Sequence, residues 1–282
     1  MNREIRKLRA LETLKIIKEN GYSNNENEKV EFQPKIEDIV NQTELYSSEE
    51  LEIKLNSIKL SPQYDTIIEI TSEDSVSCIH RLCKESDNEV MCLNFASAKN
   101  PGGGFLNGAI AQEESLSLSS ALYESQLSVP EFYYKHKKMK SCIYTDSMIY
   151  SPHIPVFRLG DGELTNTPSI VTFITSPAVN TGVVIRRENK TSDDIKELMR
   201  VRIQKLLALS VDKGHETLIL GAWGCGVFQN DPEMIAKLFN EQINKDFKGC
   251  FKRIVFAIYS RNDKFINAFR EKIKLENEQE TT

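Results

Sequence analysis

Short apolar runs alternate along this chain with longer amphipathic segments, and this alternation constrains the fold more than any other feature. Runs that are apolar along their whole length are typical of strands in a sheet covered on both faces. The pattern predicts an α/β fold, a three-layer sandwich with helices on either side of a central sheet. The predicted strands are residues 66–71, 89–95, 141–150, 169–177, 216–222 and 251–259. The predicted helices are residues 3–19, 75–84, 114–127, 192–213, 232–246 and 263–275.

The two ends of the chain differ in pattern from its centre. Residues 3–19 have apolar side chains at helical spacing, and the polar residues 22–29 predict a loop. We expect residues 1–60 to form an accessory helical region that packs on a catalytic domain of residues 61–275. The acidic residues 276–282 are expected to form a flexible tail.

The charge balance argues against direct binding of nucleic acid. The chain has 36 lysines and arginines and 41 aspartates and glutamates, which gives a formal net charge of -5 at pH 7. A protein that holds nucleic acid through its phosphates usually has a basic face. Lysines do cluster in residues 135–140, and we interpret that cluster as a solvated helix end or loop.

The cysteines and the longest apolar runs indicate an expected location. The six cysteines include no CxxC pair and no Cys/His spacing that suits zinc, so we expect free thiols and no metal. Free thiols are typical of the reducing cytosol, and we therefore expect a cytoplasmic protein. No apolar run is long enough to span a bilayer, and the charged N-terminal segment has no apolar signal core, so no membrane association is expected.

A glycine run followed by a carboxylate pair forms the first candidate site. Residues 102–104 are three glycines, which allow positive φ angles and whose amides can face an anion such as a diphosphate. Residues 112–114 read Gln-Glu-Glu at the start of a predicted helix. Alone, the glycines would also fit a flexible turn, and the glutamates would fit a favourable charge at a helix N-terminus. Together they place a phosphate contact beside the proton donor that glycoside cleavage needs.

Three glycines, seven residues and Gln-Glu-Glu resemble the GGG-x(6–8)-QEE motif of poly(ADP-ribose) glycohydrolases, especially the bacterial-type members. The resemblance covers about residues 1–275. It implies a macrodomain-like fold, a three-layer α/β/α sandwich with a mixed central sheet and an accessory N-terminal helical region. The other segments that share the resemblance are residues 93–101, 144–146, 150–152, 175–180, 220–228 and 255–259.

The resemblance implies a role for each residue of the Gln-Glu-Glu triplet. Glu114 would be the general acid that protonates the leaving 2′-oxygen, and then the base that activates water. Glu113 would form hydrogen bonds to the ribose hydroxyls and hold the sugar. Gln112 would orient the loop.

By the same resemblance, other groups of this loop would bind the substrate. Gly103 and Gly104 would face the diphosphate, and Asn100 would contact the distal ribose. Neither a metal nor a cofactor is expected, because the carboxylates and the bound diphosphate supply the chemistry.

A second glycine-rich loop follows the predicted strand at residues 216–222. Residues 223–228 read Trp-Gly-Cys-Gly-Val-Phe, and they precede a helix. Amides at a helix entry can bind phosphate, although the segment would equally form a tight strand–helix turn. Ligands of α/β sheets bind at the carboxyl ends of strands, so the two loops together predict a diphosphate clamp. Cys225 has no histidine near it in sequence and is interpreted as structural. The predicted substrate-binding residues are Gly224, Gly226, Val227 and Phe228, with Phe228 on the distal ribose by the resemblance.

The sequence therefore predicts an enzyme, a poly(ADP-ribose) glycohydrolase that cleaves the ribose–ribose O-glycosidic bond at the chain terminus and releases ADP-ribose. The same residues would also serve a mono-ADP-ribosyl hydrolase that acts on modified protein or nucleic acid. A module that binds ADP-ribose without cutting it is a third reading, although such a module has no need for Glu113 and Glu114. A P-loop nucleotidase is disfavoured, because neither loop is followed by GKS or GKT. We expect a monomer, since nothing in the sequence requires an oligomer.

Overall fold

The computed structural model describes residues 2–85, 89–260 and 263–273, which divide into two compact units. The first unit holds the described residues within 1–46, 74–138 and 147–176, and the second holds those within 47–73, 139–146 and 177–282. In chain order the helices are α1 (Arg3–Lys18), α2 (Ile36–Gln42), α3 (Ser48–Ser57), α4 (Ser75–Glu85), α5 (Gln112–Ser119), α6 (Leu122–Leu127), α7 (Pro130–Lys138), α8 (Thr181–Arg187), α9 (Ser192–Asp212), α10 (Pro232–Asn244) and α11 (Lys264–Lys272). The strands are β1 (Gly21–Ser23), β2 (Lys29–Glu31), β3 (Glu44–Tyr46), β4 (Ile67–Thr71), β5 (Val90–Phe95), β6 (Met148–Arg158), β7 (Leu164–Ser176), β8 (Thr217–Leu220) and β9 (Arg253–Ala257).

The first unit is built on a mixed set of strands in the order β3-β6-β7-β5. β6 pairs antiparallel with β3 and β7, whereas β5 and β7 run parallel, with Met91 opposite Thr172. Strand β5 is apolar apart from Asn94, and only its last residue is not fully buried. Helices α4 and α5 pack against β5. This burial agrees with the continuous apolar run that predicted the strand. The segment that carries the glycine loop follows the end of β5.

Helix α1 packs on the first unit through one face. Its side chains at Ala10, Thr13, Ile16 and Ile17 are buried, which is the spacing of one helical stripe. The helix begins after Asn2, whose side chain accepts a hydrogen bond from the Ile5 N–H (2.9 Å). The predicted helix at residues 3–19 is therefore present, and it lies against α5 and against the short 3₁₀ turn that precedes α5.

The second unit contains the parallel strands β8, β9 and β4 in that order. Leu218 of β8 and Ile68 of β4 both lie opposite Ile254 of β9. All four residues of β8 are buried, as its apolar run predicts. Helix α10 packs against α9 and α11, and its first turn is capped by the Asp231 side chain, with Pro232 as its first residue.

The strand predicted for residues 141–150 is wrong in its first part. Residues 141–147 contain no strand, and β6 begins at Met148. The carbonyl oxygens of Ile143 and Tyr144 accept hydrogen bonds from the buried Arg202 guanidinium, and Tyr144 has a φ of 59°. Arg202 thus satisfies these carbonyls outside a strand ladder, and the positive φ of Tyr144 takes the backbone out of the extended region.

The single helix predicted for residues 114–127 is two helices, α5 and α6. The break lies at Ser120, whose backbone is extended and bridges to Val156. The Ser120 hydroxyl donates to Leu116 O (2.7 Å) and accepts from the Leu122 N–H (3.2 Å). Serine hydroxyls that bond to nearby backbone compete with the helical hydrogen bonds, and here they end α5.

The loop predicted for residues 22–29 belongs to a small hairpin. β1 and β2 pair antiparallel, with Gly21 opposite Glu31. The Asn24 side chain accepts hydrogen bonds from the N–H groups of Glu26 and Glu28, and this closes the turn. The polar residues thus form the turn and the edges of two short strands, because asparagine side chains satisfy the turn amides locally.

The predicted boundary at residue 60 stays a prediction. The predicted tail at residues 276–282 lies outside the described residues, as do residues 274 and 275 of the predicted helix at residues 263–275; the described part of that helix is α11 (Lys264–Lys272). Across the described ranges, no helix combines the length and apolar character needed to cross a membrane.

Candidate active site

The glycine run forms a tight turn after β5. Gly102 and Gly103 have φ angles of 63° and 60°, in the left-handed region that favours glycine. The Gly103 N–H donates to Asn100 O (3.0 Å), and the Phe105 N–H donates to Gly102 O (3.2 Å). The Phe105 ring is fully buried. The segment is therefore held by its own backbone hydrogen bonds and by one aromatic anchor.

Gly103 brings this turn against both glutamates. A Cβ atom at Gly103 would lie 3.1 Å from Glu113 Oε2 and would overlap Glu114 Oε1. A Cβ atom at Gly104 would lie 2.9 Å from the Ala109 Cβ and 3.7 Å from Glu114 Oε1. Because neither glycine carries a side chain, the backbone can approach the carboxylate pair closely.

Gln112 ties the first turn of α5 to the end of β5. Its Oε1 accepts from the Phe95 N–H (2.9 Å). Its Nε2 donates to Leu93 O (2.8 Å) and to Ser75 Oγ (3.2 Å). The N-cap residue Ala111 provides no side-chain cap, so Gln112 supplies the side-chain attachment of the helix start. These hydrogen bonds fix the backbone from which the side chains of Glu113 and Glu114 extend.

Glu113 is the enclosed member of the pair, with 3 % of its surface exposed. Its Oε1 accepts from Asn94 Nδ2 (3.1 Å) and Gln126 Nε2 (3.0 Å), and its Oε2 accepts from the Ser97 N–H (2.7 Å). The pKa of Glu113 is raised to about 8, chiefly by burial; the three hydrogen-bond donors work against this rise, and the charge of Glu114 adds a smaller increase. Loss of hydration therefore outweighs the hydrogen bonds, and Glu113 is protonated at neutral pH.

Glu114 is the accessible member of the pair. Its side chain is half-buried, and its Oε1 accepts from the Gly104 N–H (2.9 Å). In the described part of the chain, Oε2 makes no hydrogen bond. One oxygen of Glu114 is thus fixed by the glycine turn, and the other can meet a ligand.

Two buried amide side chains, Asn94 and Gln126, also belong to the site, and the sequence did not predict either of them. Gln126 Oε1 accepts from the Gly102 N–H (2.7 Å), so Gln126 links the glycine turn to Glu113. Asn94 Nδ2 also donates to Thr175 Oγ1 (3.1 Å) on the neighbouring strand β7. Asn94 could have been found as the polar residue in an apolar strand. Gln126 lies within α6 and carries no local signal.

Asn100 lies at the outer edge of the same turn. Its side chain is exposed, and its N–H donates to Ser97 Oγ (3.2 Å). Its carbonyl accepts from Gly103, as described above. The structure therefore places Asn100 beside the turn with its side chain open to solvent.

This part of the first unit can carry out acid–base chemistry. Glu113 is neutral and fixed, and Glu114 is reachable and adjacent to it. Two carboxyl groups in such different surroundings can divide the work of holding a hydroxyl and exchanging a proton. Among the residues that the structure describes, no group of three or more His, Cys, Asp or Glu side chains could hold a metal ion.

In the second unit, Gly224 is fixed by its neighbours. It has a φ of 74°, and a Cβ atom there would lie 2.5 Å from Asn230 Nδ2 and 2.6 Å from the Ala178 Cβ. Asn230 Nδ2 donates to Val179 O (2.8 Å), and its Oδ1 accepts from Thr181 Oγ1 (2.8 Å). The close packing of the Asn230 amide therefore requires glycine at position 224.

Gly226 and Val227 are the exposed part of the second loop. A Cβ atom at Gly226 would meet no described atom within 4 Å, and Val227 is 80 % exposed. The Phe228 ring lies 6.1 Å from the Tyr144 ring, centroid to centroid, at a 40° angle. The Gly182 N–H donates to Phe228 O (3.1 Å), which fixes the backbone at that point.

Cys225, between these residues, is buried, and burial raises the pKa of its thiol. A thiol in this state is a weak nucleophile, since the thiolate is the reactive form. This agrees with the structural interpretation of Cys225. A catalytic thiol in the second loop is not supported.

Comparison with known proteins finds similarity along most of the chain. Residues 10–159, a little over half of the chain, match the family described as microbial-type PARG, catalytic domain. Poly(ADP-ribose) glycohydrolase from Thermomonospora curvata, bound to the inhibitor ADP-HPD, is 38 % identical with a TM-score of 0.90, and the match covers 96 % of this chain and 100 % of that one. No curated protein gives a match.

A second solved structure extends the comparison to a complex with ADP-ribose. Poly(ADP-ribose) glycohydrolase from Deinococcus radiodurans, in that complex, is 34 % identical with a TM-score of 0.79. The match covers 86 % of this chain and 98 % of that chain. These similarities confirm the predicted macrodomain-like α/β fold with its mixed sheet, and they confirm the resemblance to bacterial-type glycohydrolases.

Proposed function

Because the chain belongs to the microbial-type poly(ADP-ribose) glycohydrolases, we propose a role for each of its site residues in the hydrolysis of poly(ADP-ribose). It is a glycosidase that hydrolyses the O-glycosidic bond between riboses of the polymer. We assign the proton transfers to Glu114. The observation that carries this assignment is its position: half-buried, fixed through Oε1 by the Gly104 N–H, and with Oε2 open to a ligand.

The first step breaks the bond between the anomeric carbon and the leaving 2′-oxygen. The Glu114 carboxyl donates its proton to that oxygen, the electron pair of the bond leaves with the oxygen, and positive charge develops on the ribose ring. In the second step a water oxygen bonds to the anomeric carbon, and Glu114 takes a proton from that water. Glu114 returns to its acid form, and the products are ADP-ribose and a polymer shortened by one unit.

We assign the holding of the ribose hydroxyls to Glu113. Three N–H groups fix its carboxyl group, so its direction is set before substrate arrives. Burial keeps it protonated at neutral pH, with a pKa of about 8. A neutral group beside Glu114 leaves one negative charge in the pair when Glu114 has given up its proton.

The remaining predicted site residues are proposed to bind the rest of ADP-ribose. Backbone amides of a left-handed glycine turn can face a diphosphate, and an exposed side chain such as Asn100 can reach a distal ribose. Gln112 supports the site from the helix start. In the second unit the exposed backbone at Gly226 is open to a ligand. The residues proposed to contact substrate are Asn100, Gly103, Gly104, Gln112, Gly224, Gly226, Val227 and Phe228.

Release of labelled ADP-ribose from poly(ADP-ribose) tests the proposal. We expect wild type to release it and Glu114→Gln to lose about 100- to 10,000-fold in kcat, the usual effect of removing a general acid or base. Glu124→Gln, a half-buried glutamate in α6, serves as the matched control and should retain activity. Full activity in Glu114→Gln would overturn the assignment.

The same assay separates the other predicted activities. We propose cleavage at the chain terminus, so free ADP-ribose should accumulate from the start, whereas internal cleavage would first give oligomers. Turnover of mono-ADP-ribosylated substrates alone would identify a mono-ADP-ribosyl hydrolase. Tight binding of ADP-ribose without turnover of any substrate would identify a non-catalytic reader.

We further propose that the enzyme acts in the cytoplasm as a monomer and does not bind nucleic acid directly. The free cysteines support a cytoplasmic location, and the net charge of -5 supports the proposal that nucleic acid is not bound directly. Size-exclusion chromatography with light scattering tests the monomer, and a dimer at assay concentration would contradict it.

A further inference from the structure

Two arginines of α1 hold the carbonyl oxygens at the far end of the catalytic loop. Arg3 Nε donates to Asn107 O (2.9 Å), and Arg6 Nε donates to Gly108 O (2.8 Å). The arginines are three residues apart, so they lie on one face of the helix. Their acceptors are consecutive residues about a hundred positions later in the chain. The contact is therefore a two-point attachment of α1 to the loop.

The loop is shaped to receive the helix. Gly108 has a φ of 70°, and a Cβ atom there would lie 2.5 Å from Arg3 O and 2.9 Å from Arg3 Cγ. Both the backbone conformation and the missing side chain are thus needed for α1 to approach. This second observation comes from the loop and is independent of the arginine hydrogen bonds.

Helix α1 also contacts the segments on either side of these carbonyls. Thr13 Oγ1 donates to Leu118 O (2.7 Å) in the last turn of α5. The buried Phe105 ring packs with Ala10 and Leu118 in one cluster. The helix that carries the glutamate pair and the loop before it are therefore both attached to α1.

A short chain of hydrogen bonds leads from the arginines to the catalytic carboxylate. The N–H groups of Asn107 and Ala109 donate to Gly104 O (3.0 and 3.1 Å), and the Gly104 N–H donates to Glu114 Oε1. A shift of the carbonyls held by the arginines would therefore move Gly104. Moving Gly104 changes the position of the only Glu114 oxygen that is fixed within the described residues.

We propose, building on the glycohydrolase function assigned above, that Arg3 and Arg6 are positioning residues that hold the catalytic loop so that Gly104 fixes Glu114. Arg3 and Arg6 do not touch the reacting atoms. They act through Asn107, Gly108 and Gly104. Helix α1 therefore positions the catalytic loop in addition to packing on the first unit.

The double variant Arg3→Ala/Arg6→Ala tests the proposal against a matched control, Arg9→Ala. Arg9 lies on the same helix and its Nη1 also donates to a carbonyl, Asp161 O (2.9 Å), in a different loop. We expect kcat of the double variant to fall about 10- to 100-fold, as small misplacements of catalytic groups do. We expect KM to change less than kcat, Arg9→Ala to keep wild-type kcat, and Arg3→Lys/Arg6→Lys to recover most of the activity.

Amide hydrogen exchange of residues 104–109 provides a readout that needs no turnover. We expect faster exchange in the double variant and in Gly108→Ala, and unchanged exchange in Arg9→Ala. Unchanged kcat and exchange in a folded double variant would overturn the proposal, as would equal losses of kcat in the double variant and Arg9→Ala. If wild type itself releases no ADP-ribose, the glycohydrolase function fails, while the exchange data still decide whether the arginines hold the loop.

Discussion

The two glycine-rich loops both contain left-handed glycines, but different atoms surround their open positions. At Gly103 the space that a side chain would fill is taken by the carboxyl groups of Glu113 and Glu114. At Gly226 that space is empty to 4 Å among the described atoms, and the backbone is not in the left-handed region. The first glycine is required by the protein's own carboxyl groups. The second has no such internal requirement.

This difference separates two reasons for a glycine in a binding loop. Where a glycine lets the backbone approach a fixed carboxylate, its replacement should disturb the structure of the free enzyme. Where a glycine faces open space, its replacement should affect only the binding of a ligand that approaches that backbone. The contrast supports the proposed roles of the first loop in the chemical step and of the second loop in substrate binding, and each role can be tested separately.

Among the changes that test the comparison of the two loops, the largest effect is expected for Gly103→Ala. The new methyl group would displace Glu114 Oε1, and alanine at a φ of 60° adds about 1–2 kcal/mol of backbone strain. We expect kcat to fall about 100-fold or more, together with a measurable loss of unfolding free energy in urea. A Gly103→Ala enzyme with wild-type kcat would show that the close approach of Gly103 to the pair is not needed for catalysis.

The pH dependence of stability tests the enclosed carboxyl group. Burial raises the pKa of Glu113 from its ordinary 4.5 to about 8, so between these pH values the unfolded chain loses a proton that the folded protein keeps. The contribution of Glu113 to stability is therefore complete below about pH 4.5 and is lost as the pH rises to about 8. Relative to wild type, Glu113→Gln should gain about 1.4 kcal/mol of unfolding free energy per pH unit across much of this window.

Urea unfolding of both proteins at pH 5, 6, 7 and 8 provides the measurement. Glu114→Gln is the control, because Glu114 is the least of the causes that raise the pKa of Glu113 and most of the slope should remain. A constant difference between wild type and Glu113→Gln over the whole range would show that Glu113 ionises normally in the folded state.

A smaller and purely substrate-dependent effect is expected for Gly226→Ala. The methyl group meets no described atom, so unfolding free energy should stay within about 0.5 kcal/mol of wild type. If backbone at Gly226 contacts substrate closely, KM for the polymer should rise about fivefold, which corresponds to about 1 kcal/mol. Unchanged KM would remove Gly226 from the substrate-binding residues and leave the role of the first loop intact.

The smallest effect is expected from thiol modification. Burial raises the pKa of Cys225, so iodoacetamide at pH 8 should leave this thiol unlabelled in the folded enzyme. Peptide mapping by mass spectrometry, with unfolded enzyme as the positive control, measures the labelling. Rapid labelling of Cys225 with loss of activity would place a reactive group in the second loop and weaken the contrast between the loops.

The sequence predicted the elements whose signal is local. The apolar run at residues 89–95 predicted a buried strand, and the three glycines followed by Gln-Glu-Glu predicted a turn beside a carboxylate pair. The hydrogen bonds of Gln126 could not be predicted in this way, because Gln126 lies after a break at Ser120 that divides the predicted helix into α5 and α6. The break itself comes from a serine hydroxyl competing for backbone groups, which the apolar pattern does not register.

Contacts between distant parts of the chain account for the other differences. The segment at residues 141–147 has strand-like composition, yet Arg202 takes its carbonyl oxygens and prevents pairing. In the same way, the amphipathic pattern of α1 predicted the helix but not the face that packs, since Arg6 lies one turn before the buried Ala10 while Leu8 and Leu11 are exposed. Long-range hydrogen bonds of charged side chains leave no periodic trace in a sequence.

The enclosure of Glu113 decides which groups a competitive inhibitor needs. A cationic group directed at Glu113 gains no ionic contact below about pH 8, because burial raises the pKa of this carboxyl group to about 8 and the groups around it are amides. A neutral hydrogen-bond acceptor is the better partner for Glu113. An inhibitor that places an uncharged oxygen near Glu113 would match this carboxyl group, and a positive charge at that position would only add to the inhibitor's desolvation cost.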